Sequence, residues 1–348
     1  MPPRLPVLCA LGAAVLFGAS TPFAKLLAVS VNPVLLAGLL YLGSGTGLLV
    51  LRTVRDRGFA PVHLVAGDWA WLAGTILAGG VIAPVLLLLG LARASAADAS
   101  LLLNLEAVFT AVIAWVVLRE ATERRVVLGM ALIVAGGVVL ALPGPGGTHG
   151  ATRGGLAVVG ACLCWAIDNN LTRRISAADA LFIAAAKGSV AGLTNLLLAL
   201  ALGAWLPSLA VGLGAMALGF LGYGISLVLF VLALRGLGAA RTGAYFSTAP
   251  FIGALVALLF FGETAAASLW VAAALMAAGV WLHLSEHHEH EHVHEPLIHT
   301  HSHTHDSHHQ HRHEGGWSGA EPHAHEHRHA PLRHRHPHFP DLHHRHRH

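Results

Sequence analysis

ASLLLNLEAVFTAVIAWVVLREATERRVVLGMALIVAGG, residues 99–137, and TGAYFSTAPFIGALVALLFFGETAAASLWVAAALMAAGV, residues 242–280, follow one plan. Each is a long apolar run, a Glu, and a second apolar run. At a constant offset of 143 residues Glu120 falls on Glu263, Ala111 on Ala254, Ala114 on Ala257, Ala131 on Ala274, Leu132 on Leu275, Ala135 on Ala278 and Gly136 on Gly279. Two Ala- and Leu-rich runs share some residues by chance, so the common spacing of Glu, turn and small-residue patch carries the argument. It predicts a duplicated membrane unit.

The composition asks for the same solvent. With 55% hydrophobic and 11% charged residues and a mean hydropathy of +0.64, the chain has too much apolar surface for an ordinary soluble core. The lipid bilayer is therefore its first expected partner. Residues 1–284 hold 15 Lys or Arg against 9 acids, and residues 285–348 hold 6 Arg against 9 acids. The basic residues of the first part lie between apolar runs rather than in a stripe with aromatics, so nucleic acid is not an expected partner.

Apolar runs of about 20 residues are long enough to cross a membrane. The sequence predicts ten, at 5–28, 33–51, 69–91, 96–118, 124–142, 154–173, 178–202, 210–234, 240–261 and 267–284. The first exceeds the apolar core of a cleavable signal and reads as a membrane helix. With the N-terminus in the cytoplasm, Arg4, Arg52, Arg55, Arg57, Arg119, Arg124, Arg125, Arg173, Arg174, Arg235 and Arg241 all fall inside, against Lys25, Arg93 and Arg153 outside. That asymmetry predicts both termini in the cytoplasm.

Pro143-Gly144-Pro145-Gly146-Gly147 forbids a continuing helix and divides ten spans into two fives. The expected organisation is a first repeat over 1–142, a linker over 143–153, a second repeat over 154–284 and a tail over 285–348. An odd number of spans per repeat inverts one copy against the other, the arrangement that lets a central site open to either side. The expected fold is an all-α integral membrane protein of ten transmembrane helices in two inverted five-helix repeats.

Polar groups at membrane depth are costly unless they face a cavity or one another. Asn104 and Glu106 lie a third of the way into the fourth span, where a carboxylate suits a cationic group or a proton, or else pairs structurally with Arg93. Asp168, Asn169 and Asn170 suit the cytoplasmic mouth of a cavity; the alternative is a helix-end pairing of Asp168 with Arg173 and Arg174, at poor spacing. Lys187, some nine residues into its span, with Asn195 two turns on, suits a substrate carboxylate or Glu106; the alternative is reaching back to the interface. Tyr223, Tyr245, Ser247 and Thr248 offer hydroxyls to a pocket or to neighbouring backbone. Glu120 and Glu263 read as architectural, each placed before the last helix of its half. Cys9, Cys162 and Cys164 read as small core residues, and Gly43, Gly45, Gly47, Gly212 and Gly214 as points of close helix approach. No phosphate loop or nucleophile triad is present in the spans, so an enzyme is not expected and no cofactor is required.

From Ser285 onward there are 24 His in 64 residues. His299, His301, His303 and His305, then His323, His325, His327 and His329, alternate with other residues. Neutral imidazole is a good ligand for Zn, Ni and Co, and a tract without apolar periodicity is expected to be disordered. Divalent metal binding is signalled; whether it serves transport is left open.

The LLLNLEAVFTAVIAWVVLRE run followed by GMALIVAGG, and WAIDNNLTRR followed by AAAKG and AGLTN, are the carriers of a resemblance. Residues 5–284 resemble the EamA-type branch of the drug/metabolite transporter superfamily. The resemblance implies an inner-membrane secondary carrier that moves small metabolites such as amino acids through a central cavity. It implies Asn104, Glu106, Asp168, Asn169, Asn170 and Lys187 as cavity residues. The His-rich tail departs from the family pattern and keeps a second expectation alive: a transition-metal efflux protein whose tail collects the ion. Oligomeric state, coupling ion and direction are not written in the sequence.

Overall fold

The computed structural model describes residues 5–58, 64, 67–117, 124–141, 149–175, 178–263, 265–284, 289–294, 298–303, 323–328 and 332–337. Helix α1 (Leu5–Ser30) passes through Pro22 without ending, and a short turn leads into α2 (Pro33–Asp56). Asn32 caps α2 by accepting the Val34 and Leu35 amides at 2.9 and 3.3 Å. Pro33 follows at the first helical position, where it has no N–H to leave unsatisfied.

Next come α3 (Asp68–Thr75), a π-helical segment Ile76–Ile82 and α4 (Ala83–Leu91), then α5 (Ala96–Leu102), a break at Leu103 and Asn104, α6 (Leu105–Val116) and α7 (Arg124–Ala141). The second half repeats the order: α8 (His149–Ile175), α9 (Ala180–Ala201), α10 (Leu209–Gly219), a π-helical segment Phe220–Ile225, α11 (Ser226–Phe246), a break at Ser247 and Thr248, α12 (Ala249–Phe261) and α13 (Ala267–Leu284). The repeat is thus visible in its irregularities. Gly79 and Gly222, 143 residues apart, both lie in π-helical segments.

Among the described residues eight paths are long and apolar enough to cross a bilayer, where the sequence predicts ten. The fifth and tenth expected spans correspond to α7 and α13, which border residues outside the described ones. A second departure is the expected break near 235–239: the backbone there stays helical to Phe246, since neither Gly236 nor Gly238 compels a turn.

Packing crosses between the halves. Helix α2 lies along α9, and α7 along α13. The first helix of each half leaves its own group: α1 packs on α11 and α12, while α8 packs on α4 and α6. A Cβ at Gly45 would collide with the backbone of Gly188 and Ser189, so the small residue there lets α2 and α9 touch. Gly212 and Gly214 face open space within 4 Å, which corrects their expected role in close packing. Leu77, Leu197, Leu221, Leu255, Leu259 and Phe260 stay exposed on the outside of the bundle, as a lipid solvent requires.

Glu263 does cap a helix, but not the one that follows it. Its Oε1 accepts the Ala96 amide and Lys25 Nζ, each at 2.9 Å, and its Oε2 accepts the Ala97 amide at 2.9 Å, so it closes the N-terminus of α5 in the other half. Phe23 stands edge-on to Phe261 beside it, ring centroids 5.3 Å apart. Burial alone would raise the Glu263 carboxyl, but Lys25 and the two amides outweigh it and hold the group below the ordinary carboxylate range. Its contribution to stability is present at neutral pH and is lost as pH falls through that lowered value. Glu263→Gln should therefore destabilise the purified protein by about 1–2 kcal/mol at neutral pH. In thermal unfolding the gap to wild type should close below about pH 4; a gap independent of pH would remove this role. The repeat counterpart Glu120 lies outside the described residues, as do the seam at 143–147 and His305 and His329.

Within the tail the described backbone is not featureless. Four strands, β1 (Glu289–His294), β2 (Ile298–His303), β3 (His323–Arg328) and β4 (Leu332–Pro337), pair as two antiparallel ladders, β1 with β4 and β2 with β3. The register sets His299 opposite His327, His301 opposite His325 and His303 opposite His323. The expectation of a disordered tail is corrected for these segments: strict alternation lets one extended stretch pair with another, although a lone two-stranded ladder is marginal in water.

Candidate functional site

The π-helical turn of the first half organises the site. An i→i+5 turn leaves carbonyls without their usual amides, and in a membrane these must find other donors. Here the side chains of three helices supply them. Tyr41 from α2 donates its hydroxyl to Gly79 O at 2.7 Å, and Trp165 from α8 donates Nε1 to the same oxygen at 3.0 Å. Asn195 from α9 donates Nδ2 to Gly80 O at 3.2 Å and Val81 O at 3.4 Å.

Against this turn lies a buried ion pair. Lys187 Nζ meets Asp168 Oδ1 at 2.7 Å and Oδ2 at 2.6 Å, with the two side chains 3% and 7% exposed. Thr172 donates its hydroxyl to Asp168 Oδ1 at 2.9 Å. A Cβ on Gly79 would collide with the Asp168 carboxylate, so the glycine makes the notch in which the charge sits. One turn of chemistry away, Asn169 donates Nδ2 to Glu106 Oε1 at 2.7 Å.

These groups form one wall of a cavity of about 70 Å³, lined by Glu106, Asp168, Asn169 and Lys187 together with Tyr41 and Trp165. The facing wall comes from α1, the second π-helical segment and α11: Phe17, Tyr223, Ser226, Leu227, Phe230 and Phe246. Phe17 holds Trp165 and Tyr223 edge-on, with centroids 5.8 and 5.7 Å away. The Tyr223 hydroxyl is buried without a hydrogen-bond partner among the described residues. The volume suits several waters or a small polar solute. The cavity is charged on one side and aromatic on the other, and both halves build it.

Four of the expected residues, Glu106, Asp168, Asn169 and Lys187, are brought together, with different partners from those expected. Lys187 is held by Asp168 rather than by Glu106, and Asp168 is buried at the cavity instead of pairing with Arg173 or Arg174. Arg174 stacks over Trp71, 5.1 Å from its centroid. Glu106 meets Asn169 rather than Arg93, which donates to Leu89 O. The other three stand apart from the cavity wall. Asn104 fills the break between α5 and α6, donating to Leu101 O at 3.1 Å and contacting Met276 Sδ. Asn170 donates to Ala166 O and Thr110 O, and Asn195 serves the π-helical carbonyls. Ser247 and Thr248 bond backbone of their own helix. Phe17, Tyr41, Trp165, Ser226, Leu227, Phe230 and Phe246 were missed; for the five aromatic ones their recurrence in the polar-containing spans was the only signal.

Fold and site together define a multi-pass membrane protein with a small charged cavity between two repeated units. The model of the EamA-like transporter family matches residues 4–142 and 152–285, and the chain belongs to that family. It is a membrane transporter. An uncharacterized transporter of Methanothermobacter thermautotrophicus is 30% identical over 286 residues, covering 78% of this chain and 83% of that protein. A crystal structure of another protein superposes with a TM-score of 0.62 at 20% identity, over 80% of this chain and 94% of that one, a likeness of fold alone.

Proposed function

We propose that the chain is a secondary carrier of small metabolites, amino acids among them, which works by alternating access of one central cavity. The observation that carries this reading is the placement of a buried ion pair and a second carboxylate, that of Glu106, on a cavity shared by both halves. Charges are held at membrane depth where they serve a solute path. The reading takes 1–142 and 154–284 as inverted repeats, 143–153 as their linker and 285–348 as a cytoplasmic tail, in an inner membrane with both termini inside. Asp168 and Lys187 can separate to take the ammonium and carboxylate of a zwitterion, while the aromatic wall takes its side chain. Asn104, Asn170 and Asn195 shape the helices around the site.

The alternative, transition-metal efflux, draws its support from the tail, where the β2–β3 register faces three His with three others. Against it, no group of three or more His, Cys, Asp or Glu suited to a metal occurs among the described residues. The experiment is uptake by proteoliposomes of the full chain and of a chain ending at Leu284, offered a radiolabelled amino-acid mixture and, separately, Ni, Co and Zn. Amino-acid uptake by both forms is expected. Metal uptake that depends on the tail, with no amino-acid uptake, would overturn the carrier reading in favour of efflux.

A further inference from the structure

The pairing of the tail strands sorts their His residues. In β2–β3, His299 opposite His327, His301 opposite His325 and His303 opposite His323 occupy every second position of both strands, so all six share one face. The positions between, from Ile298 opposite Arg328 to Ser302 opposite Ala324, hold no His. In β1–β4, His290 opposite His336 and His292 opposite His334 again share a face. From the His294–Leu332 pair to the Ile298–Arg328 pair each strand advances four residues, so one register runs through both ladders. A slip of one residue would put the His of the two strands on opposite faces.

Facing residues of an antiparallel pair have Cβ atoms about 4.5–5.5 Å apart, and the next residue on the same face follows about 7 Å along the strand. Two consecutive pairs therefore set four His at the corners of a small rectangle, a spacing that four side chains can span to one ion. Four neutral imidazoles with no carboxylate suit Zn²⁺ in tetrahedral coordination. No group of three or more His, Cys, Asp or Glu is gathered for a metal among the described residues, so the ladders supply the register and the ion must draw the rings together. A lone two-stranded ladder is marginal in water, and an ion that binds only the paired form lends it the missing stability.

We infer that Zn²⁺ folds the tail at two defined sites, one per ladder. His290, His292, His334 and His336 hold one ion; His301 and His325, with one neighbouring pair, hold the other. The middle pair of β2–β3 belongs to both overlapping sets of four, so that ladder takes one four-His ion. The number of His alone predicts loose chelation at many places, whereas the register predicts two sites. These ions are bound whatever solute the membrane cavity carries.

The test titrates the full chain in detergent with Zn²⁺ by calorimetry, at about pH 7.5 where imidazole is neutral, beside a chain ending at Leu284. The full chain should take up two tightly bound ions that the shortened chain does not. A variant that exchanges neighbours keeps the composition and moves His off the shared face: Thr300→His with His301→Thr, and Ala324→His with His325→Ala. It should lose one of the two ions. In hydrogen exchange Zn²⁺ should slow the amides of 298–303 and 323–328 in wild type and not in this variant, and slow those of 289–294 and 332–337 in both. Two tight ions in the exchanged variant, or wild-type uptake with no step at two, would overturn the defined sites in favour of loose chelation. Equal uptake by the shortened chain would put the ions outside the tail and overturn the inference. Two ions bound with no amide slowed would part the binding from the ladders and overturn it equally.

Discussion

Lys187→Ala should cost the purified protein about 3–5 kcal/mol of stability, because it leaves the Asp168 carboxylate buried without its cation. The two side chains are 3% and 7% exposed, and Nζ bridges both carboxylate oxygens. Thr172 remains as a single neutral donor. Asp168→Asn combined with Lys187→Met should recover most of that loss, since a neutral pair of similar volume needs no desolvation. Transport should stay absent in both. Stability that falls equally in the single and double variants would show that packing, not charge, holds α8 and α9 at this level. Transport restored by the neutral pair would remove the ion pair from the solute path. Thermal unfolding in detergent and uptake in proteoliposomes, made on the same preparations, separate these outcomes.

The duplication was legible because a membrane leaves little freedom in how apolar sequence is spaced. Span length and the common spacing of the two halves placed Glu106, Asp168 and Lys187 inside apolar runs. Pairing was not legible. Which cation Asp168 meets depends on the exchange of α8 into the first half, and no local pattern states that α8 packs on α4 and α6. The π-helical segments were hidden for a similar reason. In the first segment the Gly79, Gly80 and Val81 carbonyls accept from Tyr41, Trp165 and Asn195, which are remote in sequence. Asn195 was singled out as a polar residue on the face of Lys187, yet its work is to serve the backbone of Gly80. Aromatic residues were the hardest. Phe17 on the cavity and Phe260 in the exposed outer belt sit in equally apolar runs, and only the assembled bundle distinguishes them.

Gly79→Ala should be nearly as damaging as the loss of the lysine, although it adds only a methyl group. That methyl would fall on the Asp168 carboxylate and on its own Cβ and Cγ, none of which can swing away while Lys187 holds both oxygens. Either α8 backs off from the π-helical turn or the ion pair opens. The first also stretches the Trp165 bond to Gly79 O. Overpacking of a well-fitted site costs about 1–3 kcal/mol, and the upper end is expected here because a charged pair is disturbed with it. Gly212→Ala in α10 is the matched control: nothing lies within 4 Å of the added methyl. In a helix the exchange should be neutral or stabilise by about 0.5–1 kcal/mol. If both variants melt like wild type, the notch at Gly79 does not hold Asp168. If Gly79→Ala melts early while Gly212→Ala does not, the repeated glycine of the two π-helical turns has a physical meaning: in the first half it admits the charge. In the second, Gly222 admits only Ser20, whose hydroxyl bonds Phe17 O. The halves share a notch and differ in what they place in it, which confines the ion pair to one wall of the cavity.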